Sequence, residues 1–572
     1  MKLAILLAAL SITPALAAPV IQTSGIVNAA GYQAKLAPNA VFVIFGSGLG
    51  PTAISTATAP NYPAILAGTS ISLTPAKGGA SIAARMVYTL AGQVAGVVPS
   101  SVVPGDYAVT VTYNSQSSAP QTVTVAARSF GVSTVNSAGN GAAQVTIGNV
   151  NGGISLVRFT SGRVAFNSLD WTLTPAHPGD TIVIWGTGGG ADSANDTGGT
   201  SGDQTSAGNI KVVAGGREIT PLYAGTSSGY PGLWQINFRL PSDIAADCFA
   251  PLSVTAGGES SNWTTIAIAA PGQSACSDSQ LNADALARLD AGGTVTGGGF
   301  GFIKATATNS FVQPNGTRTP TVTATVEGVS GGISRYSAAA IAETRSGIHI
   351  DQCTVYQKTA FQPRIGIGLP DGFLDAGASL PISGPGLPAN AALTQLTGPL
   401  YALSLPAGTL RTGRYTVSGP GGADIAPFTR SIDVPVDFVA TNFDSITSIP
   451  RAKALPITWT GGGSGYVSIS GVFWSTVSGS SSTPAAWLIQ SMTFYCSVPA
   501  NQGSYTVLAA IFAYLPPQSA DLTTGNYSYL TVNATSAPLL STPFAKTGGG
   551  QTDWGSITYA VGVTKNIPVN PQ

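Results

Sequence analysis

The segment PNAVFVIFGSGLG, beginning at Pro38, returns as PGDTIVIWGTGGG beginning at Pro178. Two further stretches repeat at nearly the same distance. YTLAGQVAGVVPSSVVPGDYAVTV (88–111) aligns with YPGLWQINFRLPSDIAADCFAPLSV (230–254), matching Gln93 to Gln235 and Pro99 to Pro241. SSAPQTVTVAA, from Ser117, aligns with SSNWTTIAIAA, from Ser260. The offsets are 140, 142 and 143 residues. One spacing held across three separate segments marks an internal duplication. The copies cover 18–128 and 129–272, each long enough for one β-sandwich and too short for more.

The rest of the chain reads as strand and turn. YAVTVTY (107–113), DTIVIWG (180–186), TPTVTATVEG (319–328), RYTVSG (414–419) and GYVSISGVFW (465–474) alternate apolar and polar positions, and Gly, Pro, Asn, Asp and Ser separate them. The 71 glycines and 39 prolines follow no collagen period, so they punctuate short strands. Helical spacing is confined to SQLNADALARLD (279–290), where Leu281, Ala285, Leu286 and Leu289 share a face; a short helix is predicted in a linker at 273–290. The expected fold class is all-β, with tandem β-sandwiches of antiparallel strands in series. At 572 residues several domains are required. Beyond the two copies, a β-rich domain is expected over 291–440 and a C-terminal β-sandwich over 441–572.

Gly46, Gly48 and Gly50 follow a strand, which is how a dinucleotide-binding site begins. Pro51 comes next, and the following residues have neither helical period nor acid, so a phosphate would find no helix N-terminus. No cofactor is expected. The glycines read as a tight turn needing positive φ, and GGTVTGGGFGFIK (292–304) reads as a hairpin or bulge.

General acid–base chemistry needs a histidine or a poised carboxylate. His177 lies in a turn. His349 alternates with Asp351 on one strand, with no G-x-S-x-G elbow to supply a serine. No catalytic constellation is visible, which argues against an enzyme. Asp192, Asn195, Asp196 and Asp203 sit on the glycine-rich loop 188–205 and form a candidate Ca²⁺ loop, although their spacing matches no EF-hand; the competing reading is a solvated connection. Trp234, Trp263, Phe473, Trp474 and Trp487 read as core aromatics, with any exposed tryptophan a candidate binding surface.

Lys2 followed by the apolar run Leu3–Leu10 and an A-x-A site at Ala15 and Ala17 predicts a signal peptide over 1–17, with the mature chain starting at Ala18. No later run is long enough to span a membrane as a helix. Lys plus Arg equals Asp plus Glu at 24 each, so nothing favours nucleic acid. In an exported chain the four cysteines suggest disulfides. Of three connectivities, Cys248–Cys276 with Cys353–Cys496 keeps each bridge within one region; free buried thiols are the alternative. Loop closure would contribute about 3–4 kcal/mol for the shorter and about 5 kcal/mol for the longer bridge. The longer one would tie 291–440 to 441–572.

The wording IVNAAGYQAKLAPNAVFVIFGSGLG, followed by PGDTIVIWGTGGG, YPGLWQINFRLP and APLSVTAGGESSNWTTIAIA, resembles a family of uncharacterised bacterial Ig-like repeat domains best represented in secreted acidobacterial proteins. Residues 20–272 carry the resemblance. AGQVAGVVP in the first copy departs from the family wording that LWQINFRLP keeps. FLDAGASLPISGPG (373–386), GRYTVSGPGG (413–422) and FYCSVPANQGSYTV (494–507) look like a companion region found after such pairs. The resemblance implies fold, export and a surface or extracellular location, but no chemistry. The expected role is therefore non-catalytic binding, adhesion or structure at the cell envelope or outside the cell, with a surface glycan or another envelope protein as partner. The alternatives are a secreted polysaccharide hydrolase with Ig-like accessory modules, and a self-assembling surface or matrix subunit.

Overall fold

A computed structural model describes residues 18–570 apart from 138, 149–153, 167–168, 310–320, 346, 362–369, 397–399, 479–487, 516–526 and 537–541. Ala15 and Ala17 lie outside the described residues; Ala18 is the first within them and is exposed. The protein is all-β, built from antiparallel sheets packed in layers.

The duplication is visible in strand register. In the first copy, strand Val41–Ser47 pairs with Gln93–Val97, setting Phe45 opposite Gln93. In the second, Thr181–Thr187 pairs with Trp234–Arg239, setting Trp185 opposite Gln235. The facing sheets repeat as well: Val109 opposes Gln121, and Leu252 opposes Thr264. Alternate residues turn inward, as strand geometry requires. Phe42, Ile44, Ile71, Leu73, Val109 and Val111 fill the first core. Ile182, Ile184, Val212, Trp234, Ile236 and Val254 fill the second. Gly48 and Gly188 take the same place after the early strand, at φ +64° and +89°, where a side chain would be strained. Each copy also satisfies one strand N–H by a serine hydroxyl: Ser118 accepts from Val111 and Ser261 from Val254.

The Ala283–Asp290 helix forms where the spacing predicts it. Asn282 caps it by accepting the Ala285 N–H at 2.9 Å. It is not a free linker: Ala285, Leu286 and Leu289 pack with Phe159, Phe249, Val295 and Ile341, between the second sandwich and the Thr294–Asn309 strand.

The domain boundary expected at 440/441 is not observed as a break between sheets. Strands from both sides belong to one 14-stranded sheet. Strand Cys353–Phe361 pairs with Leu488–Pro499, and strand Thr294–Asn309 runs parallel to Ser556–Asn566. A single apolar cluster runs from Phe300 to Val569 and takes in Trp263 of the second copy. The local alternation reports strands but not their partners, and these partners lie far away in the chain. The glycines of 297–301 form no hairpin turn; they lie inside the Thr294–Asn309 strand. Gly297 has a packing reason, because a Cβ there would lie 2.1 Å from the Trp554 ring. Two tyrosines staple sandwich corners: Tyr107 donates to the Val103 carbonyl, and the Tyr415 hydroxyl meets both the N–H and the carbonyl of Arg411.

Candidate functional site

The candidate Ca²⁺ loop is the clamp between the two copies. A short 3-10 turn, Ser193–Thr197, is capped by Asp192, whose carboxylate accepts from the Ala194 and Ser201 N–H groups and from the Ser201 and Thr226 hydroxyls. Burial pushes this carboxyl up, but the hydroxyls of Ser201 and Thr226 outweigh it and hold the group below the usual carboxylate range. Asn195 donates to the Gly199 and Ser227 carbonyls and accepts from Gly232 N–H. Asp196 turns to the first copy, accepting from Asn39 Nδ2 and from the Ser100 N–H and hydroxyl. Asp203 turns elsewhere, to Thr205 and the Ala224 N–H, and these bonds hold it low. The four residues thus serve different protein donors instead of converging, and no metal-holding group of three His, Cys, Asp or Glu occurs among the described residues.

Both expected disulfides are present, Cys248–Cys276 and Cys353–Cys496. Trp234, Trp263 and Phe473 are buried as expected. The side chains of His349 and Trp474, and the whole of Trp487, lie outside the described residues. His177 bonds the Gln273 carbonyl at 2.9 Å and lies 3.6 Å from Asp180. Asp351 accepts from the Tyr505 hydroxyl at 2.8 Å; burial and that contact push the phenol up to about 12.

A polar cleft opens where the helix meets the large sheet. Trp554 lies against Gly297 and tilts onto Tyr336 with ring centroids 5.4 Å apart. Its neighbour Asp553 reaches across to accept the Thr296 N–H at 2.7 Å and pairs with Arg288 of the helix. Beside this frame lies a cleft of about 620 Å³, lined by Asp284, Arg288, Arg335, Asp424, Lys546 and Gln551 among others. Asp424 accepts the Asp375 N–H. Among the described residues, the side chains of Asp284, Arg335, Lys546 and Gln551 are committed to no protein hydrogen bond or ion pair. Sequence reasoning missed this cleft. Its residues come from five separate segments, and no local motif joins them.

A second cavity, of about 220 Å³, lies between the second sandwich and the helix. Its walls are mostly apolar, with Asn136 and Thr265 among them, and Arg158 and Asp290 are its charged lining residues. Asp290 accepts from the Phe159 and Thr160 N–H groups and from the Thr160 hydroxyl. Burial raises its carboxyl against those bonds, and burial lowers the Arg158 guanidinium against the pull of Asp290.

No known protein family matches the chain, and no curated protein matches it. Solved structures show faint likenesses. One is described as a crystal structure with xylogluco-oligosaccharide, 11% identical over 86% of this chain and 97% of that one, with a TM-score of 0.12. Another is SGBP-B from a xyloglucan utilization locus in Bacteroides uniformis, 10% identical over 95% and 100%, with a TM-score of 0.14. A third comprises immunoglobulin domains 1–4 of Sidekick-1, 10% identical over 97% and 99%, with a TM-score of 0.11. At these scores the likenesses carry no argument about what this chain binds. The class that the chain's own sheets define is a tandem all-β sandwich protein with two disulfides. Among the described residues no helix is long and apolar enough to cross a membrane.

Proposed function

We propose that the chain is an exported, non-catalytic binding protein of the Ig-like repeat type, acting at the cell envelope or outside the cell, and that its polar cleft holds an oligosaccharide. The observation that carries this is the set of uncommitted side chains, Asp284, Arg335, Lys546 and Gln551, around one cleft. Sugars present hydroxyls that both donate and accept, together with apolar ring faces. A mixed set of donors and acceptors meets the first need, and Leu374 and Pro543 in the same lining offer apolar surface for the second. The two disulfides suit an oxidising compartment.

The test is a glycan array probed with the full chain, followed by the Arg335→Ala/Lys546→Ala double variant. Binding to a defined oligosaccharide that falls at least tenfold in the variant supports the reading. Binding unchanged in the variant, or no glycan bound by the folded chain, overturns it. Release of reducing ends from a bound glycan would replace it with the hydrolase alternative.

A further inference from the structure

The cavity between the second sandwich and the helix is separate from the polar cleft and has a different chemistry. Val145, Val157, Phe159, Ile266 and Leu289 make it apolar. It is larger than a cavity of roughly 150 Å³ that can hold benzene. Its polar side is selective. Both oxygens of Asp290 already accept hydrogen bonds from Phe159 and Thr160. Arg158 has one N–H donor on the Val157 carbonyl at 2.7 Å, and a guanidinium carries five. Arg158 therefore keeps donors for a guest, while the neighbouring Asp290 carboxylate balances its charge. A guest carboxylate would add an unbalanced negative charge to a largely apolar site, which is costly. A guest carbonyl would take the donor without that cost.

We infer that this cavity binds a small uncharged apolar molecule bearing one hydrogen-bond acceptor, with Arg158 as the donor and the apolar walls holding the hydrocarbon part. Aryl ketones represent the class. The full chain is titrated by calorimetry with acetophenone, with ethylbenzene as the counterpart lacking the acceptor, and with benzoate as the charged one. Acetophenone is expected to bind at least tenfold more tightly than ethylbenzene, and benzoate more weakly than acetophenone. Arg158→Met should remove the preference for acetophenone while leaving ethylbenzene bound. Ala143→Phe fills the cavity and should abolish both. Ala338→Trp obstructs it from the half-buried first residue of a second helix, Ala338–Arg345, and supplies the same test if Ala143→Phe does not fold. No binding of either neutral probe, tighter binding of benzoate, or binding that survives a folded obstructing variant overturns the inference.

Discussion

Asn39 and Asp192 lie 153 positions apart in the chain, yet the Asp192 N–H donates to Asn39 Oδ1 at 2.6 Å. The same asparagine donates through Nδ2 to Asp196 at 3.2 Å. Asn39 is fully buried at φ +56°, a backbone region that asparagine tolerates better than most residues. One side chain thus ties two residues of the second sandwich to the first, alongside the Ser100 bonds to Asp196.

Replacing it should loosen that joint. Asn39→Ala leaves a buried N–H and part of a carboxylate unsatisfied, and alanine is poorly suited to positive φ. A loss of about 2–4 kcal/mol is expected from these effects. Urea unfolding reads the loss, and small-angle scattering should show a wider spread of inter-sandwich angles. A variant with unchanged stability and scattering would show that the clamp is idle.

The clamp's acid gives an independent check. Asp196 accepts from Asn39 and from two Ser100 donors. Asp196→Ala should cost about 1–3 kcal/mol through the orphaned donors. Because Asp196 and Asn39 share one network, the double variant should cost less than the sum of the singles. Strict additivity in denaturant unfolding would contradict a shared network.

Removing the Cys353–Cys496 bridge by a double alanine substitution should destabilise the large sheet by about 4–5 kcal/mol, against about 3–4 kcal/mol for Cys248–Cys276, because the former closes the longer loop. Denaturant midpoints of the two double variants give the order. The reverse order would show that residual structure in the unfolded chain outweighs loop length.

Glu327 makes part of the large sheet sensitive to acid. Its buried carboxylate accepts the N–H groups of Gly408 and Leu410 and lies 3.2 Å from Lys304 on the paired strand. Burial raises the group, but the Leu410 and Gly408 N–H bonds with Lys304 bring it below the ordinary 4.5. A depressed folded value gives stability that is complete above the unfolded value and is lost as pH falls through the folded one. The stability gap between the native chain and Glu327→Gln should therefore be widest near neutrality and shrink as pH drops below 4.5. Unfolding series from pH 7 into acid measure it; a gap that grows in acid would reverse the sign.

Gly297 leaves room for the Trp554 ring. Gly297→Ala brings a methyl into the Trp554 ring and should cost about 1–3 kcal/mol by overpacking. Tryptophan emission should shift as Trp554 is displaced. Unaltered emission would mean that the ring has room elsewhere.

Much of the fold was legible because it is local or repeated. Strand alternation reported the class, and the short helix followed from the spacing of Ala285, Leu286 and Leu289. The echo of Pro38 at Pro178 anticipated a shared register that the Phe45–Gln93 and Trp185–Gln235 pairs display. The tyrosine staples also had a signal, Gly-x-Tyr at Gly105–Tyr107 and Gly413–Tyr415, which sequence reasoning did not use. The acidic loop was found, but its work was not: Asp192 and Asp196 carry oxygens that would suit a cation, and their actual donors lie on other elements.

The strand-and-turn character and the duplicated units could be read from the chain because they depend on periodicity and spacing, and the disulfide pairing favoured there is the one the structure holds. Only the tertiary structure decided which strands share a sheet across residue 440, and that Asp284, Arg335, Lys546 and Gln551 surround one cleft. The physical reason is that β-pairing satisfies backbone groups between segments at any sequence distance. A local pattern specifies that a strand needs a partner and leaves open which one it finds.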